Sequence, residues 1–214
     1  MRRSLFTVGS VLLLCGILLG GFVVVPVAPL HRYGPPASVL NSLVQIGTES
    51  LDWYGTGIVI REVGNDRLVL TAKHVAEAIG TAGHIRFQAD NHTWDAVCIR
   101  NSFTSDCSLW YVTHCDLPAL PVATSDPAMF APVFLFGTSA MAPNDRPFGA
   151  EGMWQGQERS EGLIQHSAQG YPGQSGGALV NAAGELVGIC FGGWPGTPLN
   201  VATSLADIIA FLEE

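Results

Sequence analysis

The sequence predicts an all-β chain built as two six-stranded antiparallel β-barrels, with a helix at the C-terminal end and an apolar helix at the N-terminal end. Three observations carry this. Twelve short apolar segments recur from residue 44 onward, separated by Gly, Pro, Asn and Asp turn signals, the pattern of an all-β barrel or sandwich. They fall into two groups of six, which points to two barrels. Outside the N-terminal run, helical spacing is confined to the tail, where Leu205, Ile208, Ile209 and Leu212 fall on one face.

In chain order, residues 1–30 open with Arg2 and Arg3 and run through an uncharged stretch, Leu5 to Val25. That stretch is about long enough to span a bilayer as a helix, and the preceding arginines favour a cytoplasmic N-terminus with the remainder exported. A cleavable signal segment is the rival, but its apolar core is usually shorter, and no clean A-x-A triplet is present. The expected location is therefore membrane-anchored with an extracytoplasmic domain, or secreted if the segment is cleaved. Pro26 to Ser38 carries four prolines, at 26, 29, 35 and 36, and reads as a short stiff stretch, with residues 31–38 as the Pro-rich linker. The domain then covers 39–214, with barrels at approximately 39–120 and 121–202 and the helix at 204–213.

The first six strands are read at Val44–Ile46, Trp53–Arg61, Arg67–Thr71, His84–Phe87, Trp94–Arg100 and Leu109–Val112. The second six are Pro121–Ala123, Pro132–Phe136, Glu151–Gln157, Gly162–His166, Gly177–Asn181 and Leu186–Phe191. Gly64 and Asn65 form the turn of a hairpin joining GTGIVI to LVLTAKHV. Ser204 is the N-cap of the last helix, with Asp207 three residues on.

The formal charge of −8 and the single lysine, Lys73, exclude the basic footprint that nucleic-acid binding needs. The cysteines at 15, 98, 107, 115 and 190 form no C-x-x-C pair, so no structural metal is expected. No cofactor is implied either. Cys98, Cys107 and Cys190 read as small buried hydrophobes, with one disulfide possible in an exported domain. Trp53, Trp94 and Trp110 read as packing residues.

The chemistry concentrates in GYPGQSGGALVN, residues 170–181, where four glycines and a proline surround Ser175. Glycine is favoured where the backbone takes positive φ or approaches another group closely. A serine on such a turn presents its hydroxyl, and its own N–H can face a developing oxyanion. A base is available at His74, just past the strand LVLT. An acid is available at Asp106, in SDCSLWYV, where a carboxylate at the mouth of an apolar strand needs a partner. Asp90, Asp95, Asp116 and Asp126 compete with it; Asp106 is preferred because it enters an apolar strand between the histidine and the serine.

These segments resemble a trypsin-like serine protease of the chymotrypsin fold, nearest the HtrA-type branch. LVLTAKHV is similar to the strand leading into that branch's histidine, and SDCSLWYV to its aspartate and following strand. LIQHSAQGYPGQSGGALVNAAGELVGICFGG is similar to its nucleophile region, and NVATSLADIIAFLEE to its closing strand and helix. The likeness covers roughly Val44 to Leu212. The order His74, Asp106, Ser175 is that of the chymotrypsin arrangement. The resemblance implies Ser175 as nucleophile, His74 as base, Asp106 as orienting acid, and the N–H groups of Gly173 and Ser175 as the oxyanion hole.

Three departures are informative. Trypsin-like zymogens carry an aspartate before the serine, to receive a freed N-terminus, whereas this chain has Gln174, so no activating cleavage is expected. No PDZ module is read after the domain. The S1 wall is assigned to Gln169, Cys190, Phe191 and Gly193, with no acid at its base, so a small or medium apolar P1 residue is expected. His166, nine residues before Ser175, is read as a strand histidine with an exposed polar tip, in preference to an S1-wall contact favouring acidic substrates. The substrate is protein or peptide, cut by a serine endopeptidase mechanism. Two other functions fit the sequence: an inactive protease-fold binding protein, and a viral or phage polyprotein-processing protease.

Overall fold

Adjacent residues on several strands are both buried, and each pair divides between two cores. Leu43 and Val44, Ile58 and Val59, Val69 and Leu70, and Leu109 and Trp110 all behave this way. Successive side chains on a strand point to opposite faces. Val44, Val59, Val69 and Trp110 therefore fill the inside of one barrel, while Leu43, Ile58, Leu70 and Leu109 form a seam with Phe134, Val180, Leu186 and Ile189 of the second half. Leu135, Leu179 and Val187, one residue along from three of those, fill the second barrel. Two-sided burial is why these strands read as continuous apolar runs.

The computed structural model describes residues 37–48, 50, 52–87, 92–138, 147–157, 162–193 and 197–214. The first barrel closes as β1-β2-β3-β6-β5-β4. Its strands are β1 (Leu43–Gly47), β2 (Trp53–Val63), β3 (Asp66–Thr71), β4 (Ala82–Phe87), β5 (Thr93–Asn101) and β6 (Ser108–Val112). The second closes as β10-β11-β12-β9-β8-β7, from β7 (Pro132–Gly137), β8 (Phe148–Gln157), β9 (Leu163–His166), β10 (Ala178–Asn181), β11 (Leu186–Gly193) and β12 (Asn200–Ser204). The described neighbours within strands pair antiparallel throughout, and the β2–β3 hairpin turns at Gly64 with φ of 61°. A short 3₁₀ helix, Ala37–Ser42, precedes β1.

Two elements differ from expectation. Pro121–Ala123 makes only an isolated parallel bridge, Val122 to Leu186, since β11 goes on from Gly188 to pair with β12 instead. The sixth place in the second barrel goes to β12, whose five residues are all buried. The second difference is α1 (Lys73–Ile79), which stops at Gly80 with φ of 88°. Seven residues are too few for helical periodicity to show, and such a helix is held by packing. Val75 supplies it, close against Gly55 of β2.

The terminal helix α2 (Leu205–Glu213) starts as read, with Ser204 Oγ accepting from the Asp207 N–H at 3.1 Å. Its Ile208 and Phe211 enter the seam, and Leu205 enters the second barrel. Cys98, Cys107, Cys115 and Cys190 are all free thiols, so the possible disulfide is not formed among them. Trp94 and Trp110 are buried, while Trp53 is half-buried beneath the Arg86 guanidinium, 4.4 Å from its ring centre. Among the described residues no helix is long and apolar enough to cross a membrane. The run Leu5–Val25 and residues 31–36 of the Pro-rich stretch lie outside the described residues.

Candidate active site

His74 sits in the first turn of α1, directly after β3. The first N–H groups of a helix have no partner within it, and here the His74 N–H is taken by Asp106 Oδ1 at 3.0 Å. The other carboxylate oxygen, Oδ2, lies 2.8 Å from His74 Nδ1. One aspartate thus fixes both the backbone and the ring of the histidine. With Asp106 accepting, Nδ1 holds the ring proton and Nε2 keeps its lone pair. The Asp106 side chain is 13% exposed and that of His74 41%, so the pair is shielded on the acid side and open on the other.

Asp106 is placed by the loop NSFTSDC between β5 and β6. Ser102 Oγ accepts from the N–H groups of Thr104 and Ser105 and from the Ser105 hydroxyl, while the Ser102 N–H bonds to the Cys107 carbonyl. Short polar side chains bonding local backbone are the usual means of holding such turns. Asp95 is paired elsewhere, 3.0 Å from His84, and Asp116 lines a separate cavity beside Arg67 and His114. Asp126 is exposed, and Asp90 lies outside the described residues.

Ser175 lies on the turn between β9 and β10, which docks on the first barrel. Its carbonyl accepts the Thr56 N–H at 2.8 Å, and the next N–H, of Gly176, bonds to the Cys190 carbonyl at 2.9 Å. Gly176 has φ of 82°, and a Cβ there would stand 2.2 Å from the Thr56 carbonyl oxygen and from Thr71 Oγ1. Only glycine lets the turn come this close to the end of β3, three residues before His74. Gly177 is similarly crowded by the Phe136 carbonyl, 2.4 Å from a Cβ. Both glycines serve close packing, as their sequence suggested.

Backbone N–H groups on this turn alternate in use. Those of Gln174, Gly176 and Gly177 bond to the carbonyls of Tyr171, Cys190 and Gln174. Among the described residues, those of Gly173 and Ser175 have no hydrogen-bond partner. Gly173 holds a φ of 93°, available to glycine at no steric cost. Its carbonyl accepts from Thr56 Oγ1 at 2.9 Å. Gln174 is fully buried, its Oε1 accepting the Tyr171 N–H at 2.9 Å and its Nε2 donating to the Phe148 carbonyl at 3.4 Å. Among the described residues Ser175 and His74 are not hydrogen-bonded to each other.

A pocket of about 440 Å³ opens beside Ser175, bounded by Gln169, Cys190, Gly193 and residues 197–200. Phe191 is not in its wall. A bulge in β11 between Cys190 and Gly192 re-aims that side chain, as bulges near active sites often do. Its ring stands edge-on to His74, 5.6 Å between centres. Cys190 is a neutral wall, since burial pushes its thiol up to about 12.

His166 departs from its reading. It is fully buried, with neither ring nitrogen hydrogen-bonded, so its tip is not exposed. It is not in the pocket wall either. Burial pulls it down to about 4, the nearby Ala168 backbone acting the other way. The ring is thus neutral near pH 7. Two residues escaped the sequence reading: Thr56, which bonds the turn to the first barrel, and Asn200, in the pocket wall. For Asn200 a signal existed, a polar residue two positions before Ala202 on the inward face of an apolar strand.

Comparison with known proteins agrees with the fold. Residues 55–189 match the trypsin-like peptidase domain, well over half of the chain, and the protein belongs to that family of serine peptidases. Among solved structures, the serine endoprotease from Yersinia pestis superposes with a TM-score of 0.69 at 23% identity, over 81% of this chain and 62% of that one. The chain thus spans less than two thirds of that protein's length. The Rv3671c protease in an inactive form gives 0.66 at 19%, over 83% of this chain and 90% of the other. An inactive mutant of Rv3671c from M. tuberculosis gives 0.67 at 18%, over 83% and 87%. At these identities the likeness is one of fold. No curated protein matches the chain by sequence.

Proposed function

We propose that the protein is a serine endopeptidase that hydrolyses peptide bonds through an acyl-enzyme, with Ser175, His74 and Asp106 as its triad. The observation that carries this reading is the Asp106 carboxylate binding both the ring and the backbone N–H of His74, at 2.8 and 3.0 Å. That arrangement leaves Nε2 as a base on the exposed side of the imidazole. Ser175 Oγ attacks the scissile carbonyl as His74 Nε2 takes its proton. His74 then returns the proton to the leaving amine, and the same exchange with water releases the acyl group. Asp106 stabilises the imidazolium between these transfers. The unpartnered N–H groups of Gly173 and Ser175 receive the oxyanion, a type of stabilisation often worth about 3–4 kcal/mol per donor.

Placement follows from the N-terminal segment. We read Leu5–Val25 as a membrane tether that leaves the peptidase domain on the extracytoplasmic side. The charge-free span and the two arginines before it support this. Protection of the domain from external protease in intact cells, together with its recovery in the soluble cytoplasmic fraction, would overturn the placement.

The catalytic reading is tested with a fluorophosphonate probe on the full chain. Wild type is expected to label at Ser175, and Ser175→Ala and His74→Ala are expected not to label. A folded wild type that stays unlabelled would overturn the reading.

A further inference from the structure

We propose that Asn200 reads the P1 side chain, and that the enzyme prefers to cut after neutral residues that donate a hydrogen bond, the threonine, asparagine and glutamine class. This rests on Ser175 being the nucleophile, because that places the 440 Å³ pocket where the P1 side chain enters.

The orientation of the Asn200 amide is fixed. Its Nδ2 donates to the Ala168 carbonyl at 2.9 Å, and turning the amide over would set two acceptors against each other. The atom left for the pocket is therefore Oδ1, an acceptor. Two glycines of the wall flank it. A Cβ on Gly170 would stand 3.1 Å from Oδ1, and one on Gly193 3.4 Å. A side chain at Gly170 would crowd this oxygen and one at Gly193 would lie in contact with it, so the glycines keep it accessible to an incoming group. Asn200 itself is 6% exposed, which leaves little room for solvent to remain once a side chain fills the space.

The chemistry of the wall narrows the choice. None of the described lining residues is charged. A lysine or arginine would give up hydration for neutral acceptors alone, an unfavourable exchange for a full charge. A carboxylate would meet Oδ1 as acceptor against acceptor, and buried neutral His166, outside the wall, provides no cation. An apolar side chain would enter freely but leave Oδ1 without a donor, the situation that penalises analogues lacking a required group. The apolar P1 preference expected from sequence is replaced on this ground.

The experiment uses the full chain and two pairs of otherwise identical peptides, P1 threonine against valine and P1 glutamine against methionine. Each pair is matched in shape and differs in the donor. For wild type, kcat/KM is expected to favour the donor member by at least about tenfold. Asn200→Leu is expected to abolish or reverse both ratios while fluorophosphonate labelling of Ser175 persists. The proposal is overturned if wild type cuts the valine and methionine peptides as well as their partners, or if Asn200→Leu keeps the ratios. A labelled but donor-blind enzyme removes only the Asn200 assignment. An unlabelled wild type removes the endopeptidase reading and this proposal with it.

Discussion

The Thr56 hydroxyl, on the first barrel, donates to the Gly173 carbonyl, on the second, at 2.9 Å. The same oxygen accepts the Thr138 N–H at 2.8 Å, and the Thr56 backbone N–H holds the Ser175 carbonyl. One threonine thereby ties the serine turn to both barrels. With the Gly173 carbonyl directed at Thr56, the Gly173–Gln174 peptide cannot rotate freely, and the free N–H groups on either side keep their direction.

Thr56→Val keeps the shape and removes the hydroxyl, leaving the Thr138 N–H and Gly173 carbonyl without that partner. Lost buried hydrogen bonds of this kind cost about 1–3 kcal/mol. We predict a 10- to 100-fold fall in kcat, on the order of that loss, with KM changed less. Steady-state kinetics beside a thermal melt checks this; unchanged kcat in a destabilised variant would show that the bond serves folding alone.

Asp106→Asn should lower kcat by roughly 10⁴-fold, the scale found when a triad acid is neutralised. Asp95→Asn should leave the rate within about twofold, because Asp95 faces His84. The rate of fluorophosphonate labelling reports both variants on one scale.

Gln174 satisfies its amide within its own surroundings, through Tyr171 and Phe148. No liberated amino terminus is needed to neutralise it. Ser175 should label equally in chains with an intact and a trimmed N-terminus. Intact-mass spectrometry showing probe only on trimmed chains would refute this.

His166 makes stability depend on pH. Its folded value is about 4 against an ordinary 6.5, with burial as the main cause. Between those values the unfolded chain binds the extra proton, so stability is full above pH 6.5 and falls as pH drops toward 4. The two and a half units amount to about 3 kcal/mol. Urea unfolding at pH 7 and pH 4.5 should show a smaller loss for His166→Phe than for wild type.

Thiol reactivity should follow burial. Cys107 and Cys190 are pushed up to about 12 by burial, and Cys115 is raised for the same reason. In the native protein iodoacetamide is expected to modify Cys98, which is partly exposed, well before these three. Peptide mapping after brief alkylation distinguishes the sites.

The sequence by itself determined the two-barrel plan, the Ser204 cap, and the three segments that bear His74, Asp106 and Ser175. Each is a local signal. Alternating or doubly apolar strands, Gly-rich turns and an N-cap serine depend on residues a few positions apart. Tertiary structure alone decided the rest. The short helix under His74 exists because Val75 packs on Gly55 and Asp106 takes a free N–H. That β12 rather than Pro121–Ala123 closes the second barrel depends on its pairing with both β11 and β9. Thr56 and Asn200 gained their places from partners 117 and 32 residues away, and no local pattern encodes a contact over that distance. Whether a polar residue in a strand is a surface group, a tether or a pocket acceptor depends on what the closed barrels bring opposite it.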